Sequence, residues 1–428
     1  MSLNLCAFLK IMFNFLKGRL VAVRLCLLIS TLLLVAIGIL TIYAVGNPAE
    51  ESPASRATQR WGNYWQKQTA YAIAGLAGFI AINLINYRKL GSISYGIFFF
   101  GLVALVPLLI SKYLVELQFV PMINGSYRWL DFSSIIPGIP SIQPSEFFKI
   151  AYILTLAWYL RYRSNYRNIK ALIGPFALTV LPMVMILLEP DLGTVMLMMP
   201  VLFTMLFVAG AKVKHLLIII LLAVLVSPLL WHKIEPYQRV RISMVVLQNR
   251  WVREKAEQYR WLGEILVGTK FTEEQWKRDW GRQLTRSKYA IASGGLKGYG
   301  FRKGPFIKYD FLGNERHNDF IFAIVAQQWG LLGAIVLFGL YMTIAGCGLK
   351  IAANNTDPFG RLLVVGIVVM FVVELIINVG MTMGLMPVKG LTLPLISYGG
   401  SNLVVSMFCI GLLNNVGRCR PFNLARKG

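Results

Sequence analysis

The segment ERHNDFIFAIVAQQWGLLGAIVLFGLYMTIAGCGL, residues 315–349, decides the fold class of this chain. From Phe320 onward it is almost wholly apolar, whereas residues 315–319 are polar or charged. Because a helix needs roughly 20 apolar residues to cross the hydrocarbon core of a bilayer, the segment predicts a membrane-spanning helix. Asp319 stands where the polar stretch meets the apolar one, so its carboxylate can reach both water and the bilayer surface.

The composition of the whole chain agrees with a membrane protein, since 56% of residues are apolar and 14% are charged. The apolar runs favour helices over membrane-barrel strands, because a helix satisfies its own backbone hydrogen bonds in lipid. We expect one all-α polytopic domain over residues 1–428, with a large extracytoplasmic loop at 233–319. The ten predicted spans lie near residues 20–45, 69–87, 92–110, 146–160, 171–188, 192–210, 215–232, 320–349, 361–384 and 394–416.

The formal net charge of +24 is explained by topology, and no nucleic-acid motif accompanies it. Lys and Arg gather in segments that the ten spans place on one side, which predicts cytoplasmic termini and contact with anionic lipids. The first apolar run is too long for a signal-peptide core and is expected to be a retained anchor. The five cysteines show neither disulfide nor metal spacing.

The loop at 233–319 has three parts. The first, EPYQRVRI (235–242), lies just outside the membrane. The second is a Trp-rich insertion at 248–282, in which Thr272 to Gln275 resembles a helix capping box. A short helix with tryptophans on one face would suit the lipid headgroup layer. The insertion therefore predicts either a solvated or interface-lying element without chemistry, or a surface for a partner.

The third part of the loop is rich in glycine, with Gly294, Gly295, Gly298, Gly300 and Gly304. Its cations are Lys297, Arg302, Lys303 and Lys308. Glycines let backbone amides approach a ligand closely, and cations complement phosphate. The spacing matches no P-loop or dinucleotide fingerprint, so an ordinary flexible loop is the other interpretation.

Ionisable residues inside the predicted spans need an explanation, because each costs on the order of 3 kcal/mol at the centre of a membrane helix. Glu146 and Lys149 are three residues apart and can meet on one helical face. They are either a charge pair that fixes the helix or part of a substrate cavity. Glu374, with Asn378 one turn later, predicts an interhelical hydrogen bond or, in a transporter, a proton relay.

Seven segments resemble the SEDS family (shape, elongation, division and sporulation), to which RodA and FtsW belong. In chain order they are NGSYRWL (124–130), QPSEFFK (143–149), EPDLGT (189–194), PYQRVRI (236–242), IASGGLKGYGF (291–301), ERHNDFIFA (315–323) and GLTLPLISYGGSN (390–402). The wording of ERHNDFIFA and PLISYGGS is closer to RodA than to FtsW. The chain departs from the family where Glu189 replaces the usual glutamine, where Asn318 replaces threonine, and in its long Trp-rich insertion.

The resemblance implies a peptidoglycan glycosyltransferase that polymerises lipid II, the disaccharide-pentapeptide on undecaprenyl pyrophosphate. Asp319 would be the general base, with Glu315 and His317 near enough to couple to it. A merely structural alternative is that Asp319 caps the following helix. The expected substrate-binding residues are Arg128, Glu146, Lys149, Asp191, Lys297, Lys303, Lys308 and Ser397. No organic cofactor is implied, and a divalent cation is one way to offset the pyrophosphate charge.

Two other functions remain open from the sequence. A lipid II flippase would suit intramembrane charges and proline-interrupted spans, but no repeat of hydropathy relates the two halves. A scaffold that only recruits a synthase would give Asp319 no function. The resemblance also implies a class B penicillin-binding protein as partner, contacting the eighth and ninth spans.

Overall fold

The computed structural model describes residues 20–49, 63–123, 125–133, 140–162, 168–231, 235–309, 318–388 and 390–418. Its ten long helices each overlap one of the ten predicted spans, which confirms the all-α class. They are α1 Val21–Gly46, α2 Tyr64–Leu84, α3 Ser94–Tyr113, α4 Pro144–Leu160, α5 Ile173–Leu188, α6 Leu192–Val208, α7 Val213–Trp231, α8 Ile321–Ala353, α9 Pro358–Met383 and α10 Gly400–Arg418. By length and hydropathy α1, α3, α5, α8, α9 and α10 can each cross a membrane, α5 together with the preceding turn.

Shorter helices fill much of the remaining described chain, above all the loop between α7 and α8. Outside that loop are Tyr87–Ser92 and the 3₁₀ turn Ile169–Leu172. Within it are Pro236–Leu247, Arg250–Gln258, Arg260–Val267, Glu273–Gln275, the π turn Trp276–Trp280, Arg282–Gly294 and Pro305–Lys308. The capping prediction for Thr272 is confirmed, because its Oγ1 accepts a hydrogen bond from the Gln275 amide. The loop is therefore a small folded layer on one end of the bundle.

Several predicted spans have different bounds in the structure, and two of these shifts have a clear local cause. The span at 69–87 is α2, which ends at Leu84 because residues 85–86 are extended and Asn86 caps the next short helix through the Arg88 amide. The span at 394–416 begins only at Gly400. The missing turn has a clear cause, since Leu395 has a φ of +67° and the Leu393 amide donates to the Ser397 hydroxyl instead of a helical carbonyl.

Burial separates central helices from peripheral ones. In the apolar windows of α9 and α10, 78% and 83% of residues are buried inside the protein, against 28% for α3. Most described residues of α7 are exposed, although the helix is strongly apolar. Because lipid rather than water surrounds these segments, the exposed apolar face of α7 is a lipid-facing surface.

The helix α8 is broken at Gly330, whose φ of 62° and ψ of −157° are not helical. The segment Gly294–Gly300, called here the glycine strap, fills the break with backbone hydrogen bonds. The amides of Tyr299 and Gly300 donate to the carbonyls of Gln327 and Gln328, and the amide of Leu331 donates to Gly295. A Cβ on Gly298 would lie 2.2 Å from the Gln328 carbonyl oxygen. The glycines thus allow two backbones to meet.

Candidate active site

A cavity of about 1050 Å³ opens at the end of the bundle that carries the long loop. Its wall combines the ends of α3 and α5, the start of α6, helix Pro236–Leu247, the turn before α8 and residues 390–402. The ionisable residues on the wall, apart from tyrosines, are Lys112, Arg128, Glu146, Asp191, Glu235, Arg241 and Asp319. The structure therefore brings together four of the predicted site residues: Arg128, Glu146, Asp191 and Asp319.

Asp319 lies in the turn just before α8, and its backbone is fixed from two sides. The Ser397 hydroxyl donates to the Asn318 carbonyl at 2.6 Å. The Asn378 side-chain amide, from α9, donates to the Asp319 carbonyl at 3.1 Å and to the Leu391 carbonyl at 2.5 Å. Phe320 occupies the N-cap position of α8, which has no side-chain cap hydrogen bond, so the capping alternative for Asp319 receives no support.

Gly390 lies directly against the carboxylate of Asp319. A Cβ at position 390 would be 3.1 Å from Asp319 Oδ2, and Gly390 has a φ of +64°. The absence of a side chain here leaves room for the carboxylate, and a side chain at position 390 would press against it.

Gly390→Ala is expected to lower polymerisation by the purified protein about tenfold, because small displacements of a reacting group are costly. The matched control is Gly210→Ala, since Gly210 has a φ of +96° but nothing within 4 Å of its Cβ position. Both variants place an alanine at a positive φ, which costs on the order of 1–2 kcal/mol. Equal activity in the two variants, measured at matched folded fraction, would contradict a role for the Gly390 contact.

Asp191 and Arg128 together hold the turn between α5 and α6. Asp191 is the N-cap of α6, and its carboxylate accepts from the Thr194 amide, the Thr194 hydroxyl and the Ser145 hydroxyl. Arg128 Nε donates to the Glu189 carbonyl at 3.1 Å, and its Nη2 donates to the Pro190 carbonyl. Arg128 keeps further N–H donors on the cavity wall.

Glu189 is buried in the turn after α5. Its two carboxyl oxygens have no hydrogen-bond partner among the described residues. Burial, and secondarily the charge of Asp191, raise the pKa of Glu189 from 4.5 to about 9, against the opposing charges of Arg128 and Lys112. A protonated Glu resembles glutamine in shape and charge. This explains how the chain accommodates Glu189 where the SEDS resemblance expects glutamine.

Glu189→Gln is expected to stabilise the protein increasingly as the pH rises. The folded state resists ionisation of Glu189, so wild-type stability falls between the unfolded pKa near 4.5 and the folded pKa near 9. Glutamine does not titrate, and the difference should grow by up to about 1.4 kcal/mol per pH unit in that window. Thermal unfolding of both proteins from pH 5 to pH 9 would test this. A difference independent of pH would show that Glu189 is already ionised.

Glu146, Lys149 and Glu374 form a buried charge cluster below the cavity. Lys149 Nζ lies 2.8 Å from Glu146 Oε2 and 2.6 Å from Glu374 Oε1. The side-chain amide of Asn402 also donates to Glu146 at 3.0 Å. Glu146 reaches the cavity wall, whereas Lys149 and Glu374 are not part of it. The cluster thus shares one lysine between two carboxylates, leaves Glu374 Oε2 without a hydrogen-bond partner among the described residues, and supplies one carboxylate to the cavity.

The remaining predicted site residues lie elsewhere. Ser397 is buried behind the wall and acts on the backbone before Asp319. Lys297 and Lys303 are exposed and Lys308 is half-buried, and these three are not among the cavity-lining residues of the described chain. The predicted substrate contact of these three lysines therefore stays a prediction. Glu315 and His317 lie outside the described residues.

Several wall residues were not predicted as site residues. Lys112 ends α3 and donates to the Leu188 carbonyl at 2.8 Å. Arg241 and Tyr237 come from helix Pro236–Leu247, and Tyr398 from the segment before α10. Arg241 and Tyr237 belong to the PYQRVRI motif, so that motif could have identified them. Lys112 has no comparable signal in the sequence.

Comparisons with known proteins agree with this architecture. The peptidoglycan glycosyltransferase RodA of Treponema pallidum (strain Nichols) is 30% identical, over 91% of this chain and 96% of its own. A probable peptidoglycan glycosyltransferase FtsW of Trichlorobacter lovleyi (strain ATCC BAA-1151 / DSM 17278 / SZ) is 29% identical, over 93% and 94%. Relatives of both names therefore match about equally.

A solved structure, concerned with the structural coordination of polymerization and crosslinking by a peptidoglycan synthase complex, has the same fold. One of its chains superposes with a TM-score of 0.68 and 26% identity, covering 92% of this chain and 96% of that one. The model of the FtsW/RodA/SpoVE family, described as cell cycle protein, matches residues 24–420. The seven ordered motifs, the ten-helix architecture and this match over nearly the whole length establish that the chain belongs to the FtsW/RodA/SpoVE family of multi-pass membrane proteins.

Proposed function

We propose that this protein is a peptidoglycan glycosyltransferase that polymerises lipid II, with Asp319 as the general base. The observation that carries the proposal is that Asp319 shares one cavity with Lys112, Arg128 and Arg241. A lipid-linked sugar pyrophosphate needs this combination, a proton acceptor for the attacking hydroxyl and cations for the leaving group.

The reaction follows from this arrangement. An acceptor sugar hydroxyl attacks the anomeric carbon of the donor sugar and gives its proton to the Asp319 carboxylate. The new carbon–oxygen bond forms as the bond from the anomeric carbon to the pyrophosphate breaks, and undecaprenyl pyrophosphate leaves. Because this displacement uses one base and forms no covalent sugar intermediate, the configuration at the anomeric carbon inverts. The α-linked donor therefore gives a β-linked strand.

The leaving pyrophosphate carries negative charge that the cavity can offset. Arg128 and Lys112 are already oriented by their bonds to backbone carbonyls beside Glu189, so little reorganisation is needed. No group of three or more His, Cys, Asp or Glu side chains with metal-binding geometry occurs in the described part of the chain. A divalent cation, bound together with the pyrophosphate, stays a prediction that chelator addition to the polymerisation assay would test.

The direct test is to supply purified protein with lipid II and resolve the products on a gel. We expect glycan strands that grow with time, and we expect them without any membrane gradient. A flippase, the other function weighed from the sequence, would move lipid II across vesicles and form no polymer. Lipid II transport without strand formation would overturn the glycosyltransferase proposal.

The proposed setting is the bacterial cytoplasmic membrane, with both termini in the cytoplasm and the cavity facing outward. The supporting observation is that Arg88, Arg161, Lys212, Lys350 and Arg418 all lie at the end of the bundle opposite the cavity, as the positive-inside rule expects.

The proposed partner is a class B penicillin-binding protein, which would crosslink the strands. The apolar residues Leu332, Val336 and Met342 form an exposed face of α8 that a single membrane helix can contact. The similarity to a chain of a peptidoglycan synthase complex supports the same pairing.

A further inference from the structure

Helix Arg260–Val267 in the loop has an apolar face that the fold does not use. Trp261 and Ile265 are 61% and 40% exposed, and residues four apart lie on the same side of a helix. The other side is occupied, since Gly263 and Val267 are buried and Val267 joins the apolar cluster that holds the loop helices together. Trp261 and Ile265 therefore contribute apolar surface without stabilising the loop's own core.

The structure places this helix against the last residue of α7. Trp231, the last residue of α7, donates its indole N–H to the Ile265 carbonyl at 2.7 Å. Leu225 and Leu229 on α7 are 64% and 73% exposed, as expected of side chains in lipid. Trp261 and Ile265 thus lie on a helix that is bonded to α7 at the point where the apolar sequence of α7 ends.

Charge next to this face also suits the bilayer surface. Arg260 and Glu264 form an exposed ion pair of 2.7 Å between Nε and Oε1 on the same helix. An apolar pair beside a charged pair is the pattern of a helix that lies in the plane of the interface, and Trp is the residue enriched at headgroup depth.

We propose that helix Arg260–Val267 is a membrane-interface anchor, which inserts Trp261 and Ile265 among the lipid headgroups beside the outer end of α7. The anchor is linked to the cavity, because the Ser243 hydroxyl donates to the Leu266 carbonyl at 2.7 Å. Ser243 belongs to helix Pro236–Leu247, which carries Tyr237 and Arg241 on the cavity wall. The anchor holds that part of the wall level with the headgroups, where a lipid-linked substrate presents its polar group.

The test compares two neighbouring positions on the same helix. Ile265→Cys and Glu264→Cys are each made after the five native cysteines are replaced, labelled with a nitroxide and reconstituted in phosphatidylethanolamine–phosphatidylglycerol vesicles. We expect the label at 265 to collide several-fold more with dissolved oxygen than with a water-soluble nickel complex, and the label at 264 to show the reverse. Equal access of the nickel complex to both labels overturns the proposal.

A second measurement needs no cysteine replacement. Trp261→Phe is compared with wild type in vesicles whose acyl chains carry bromine near the headgroup. We expect the variant to lose part of the tryptophan fluorescence that the brominated lipid quenches, whereas unchanged quenching rejects the anchor. If Trp261 instead serves a protein partner, the protein alone in vesicles shows Trp261 in water, which also rejects it. Both measurements are independent of polymerisation, so their outcome does not depend on whether the proposed activity is correct.

Discussion

Asp319→Asn is expected to lower the rate of glycan polymerisation by about 10²- to 10⁴-fold, the usual contribution of a positioned general base. Asparagine has nearly the shape of aspartate, so the contact with Gly390 and the backbone bonds from Asn378 and Ser397 are retained. The amide cannot accept the proton of the attacking hydroxyl. Polymerisation of lipid II by the purified variant, followed by gel, measures the loss, and thermal unfolding checks that the variant is folded.

The matched control is Asp191→Asn, which removes another carboxylate from the same wall. The Asp191 carboxylate already accepts hydrogen bonds from Thr194 and Ser145, and asparagine is also a good N-cap residue. We expect the polymerisation rate to fall by less than about tenfold. Only the electrostatic field in the cavity changes, because a hydrogen-bonded amide replaces the carboxylate. If both variants lose activity equally, the effect is one of cavity charge, and the assignment of Asp319 as base is wrong.

The sequence was sufficient to predict the ten helices and the position of Asp319, because both depend on local patterns. Hydropathy over one span and the change from polar to apolar at residue 319 need no knowledge of the rest of the chain. The way Asp319 is held could not be predicted. Ser397 was expected to bind substrate and Asn378 was placed in an interhelical hydrogen bond, whereas both, with Gly390, reach Asp319 or its neighbour only through the packing of α9 and the loop after it. Lys112 likewise enters the cavity by tertiary geometry alone.

The glycine strap shows a different limit of prediction from the sequence. Glycines permit close backbone approach, and from sequence a ligand and a second backbone are equally good explanations for them. In the structure the strap approaches the break of α8 at Gly330. A Cβ on Gly298 would lie 2.2 Å from the Gln328 carbonyl oxygen. The function of such a segment depends on what its backbone contacts. Here that is the backbone around Gln328, some 30 residues further along the chain. The nearby cations, which the sequence suggested as phosphate ligands, are not among the cavity-lining residues of the described chain.

Lys149→Met is expected to destabilise the protein by roughly 3–5 kcal/mol, because it leaves the carboxylates of Glu146 and Glu374 buried without their shared cation. Lys149 is 4% exposed and contacts both at less than 3 Å, so water cannot replace it. Thermal unfolding in detergent measures the loss. Lys67→Met, which removes an exposed lysine of α2, should change stability by less than about 0.5 kcal/mol.

The neutral variant Lys149→Met with Glu146→Gln and Glu374→Gln separates stability from function. Removing all three charges abolishes the unpaired carboxylates, and most of the lost stability should return, as is often found when a buried ion cluster becomes neutral. Polymerisation should stay low in this variant, because Glu146 lines the cavity and Asn402 loses a charged acceptor. Full recovery of both stability and activity would mean that the cluster only fixes α4 against α9 and has no part in the cavity's chemistry.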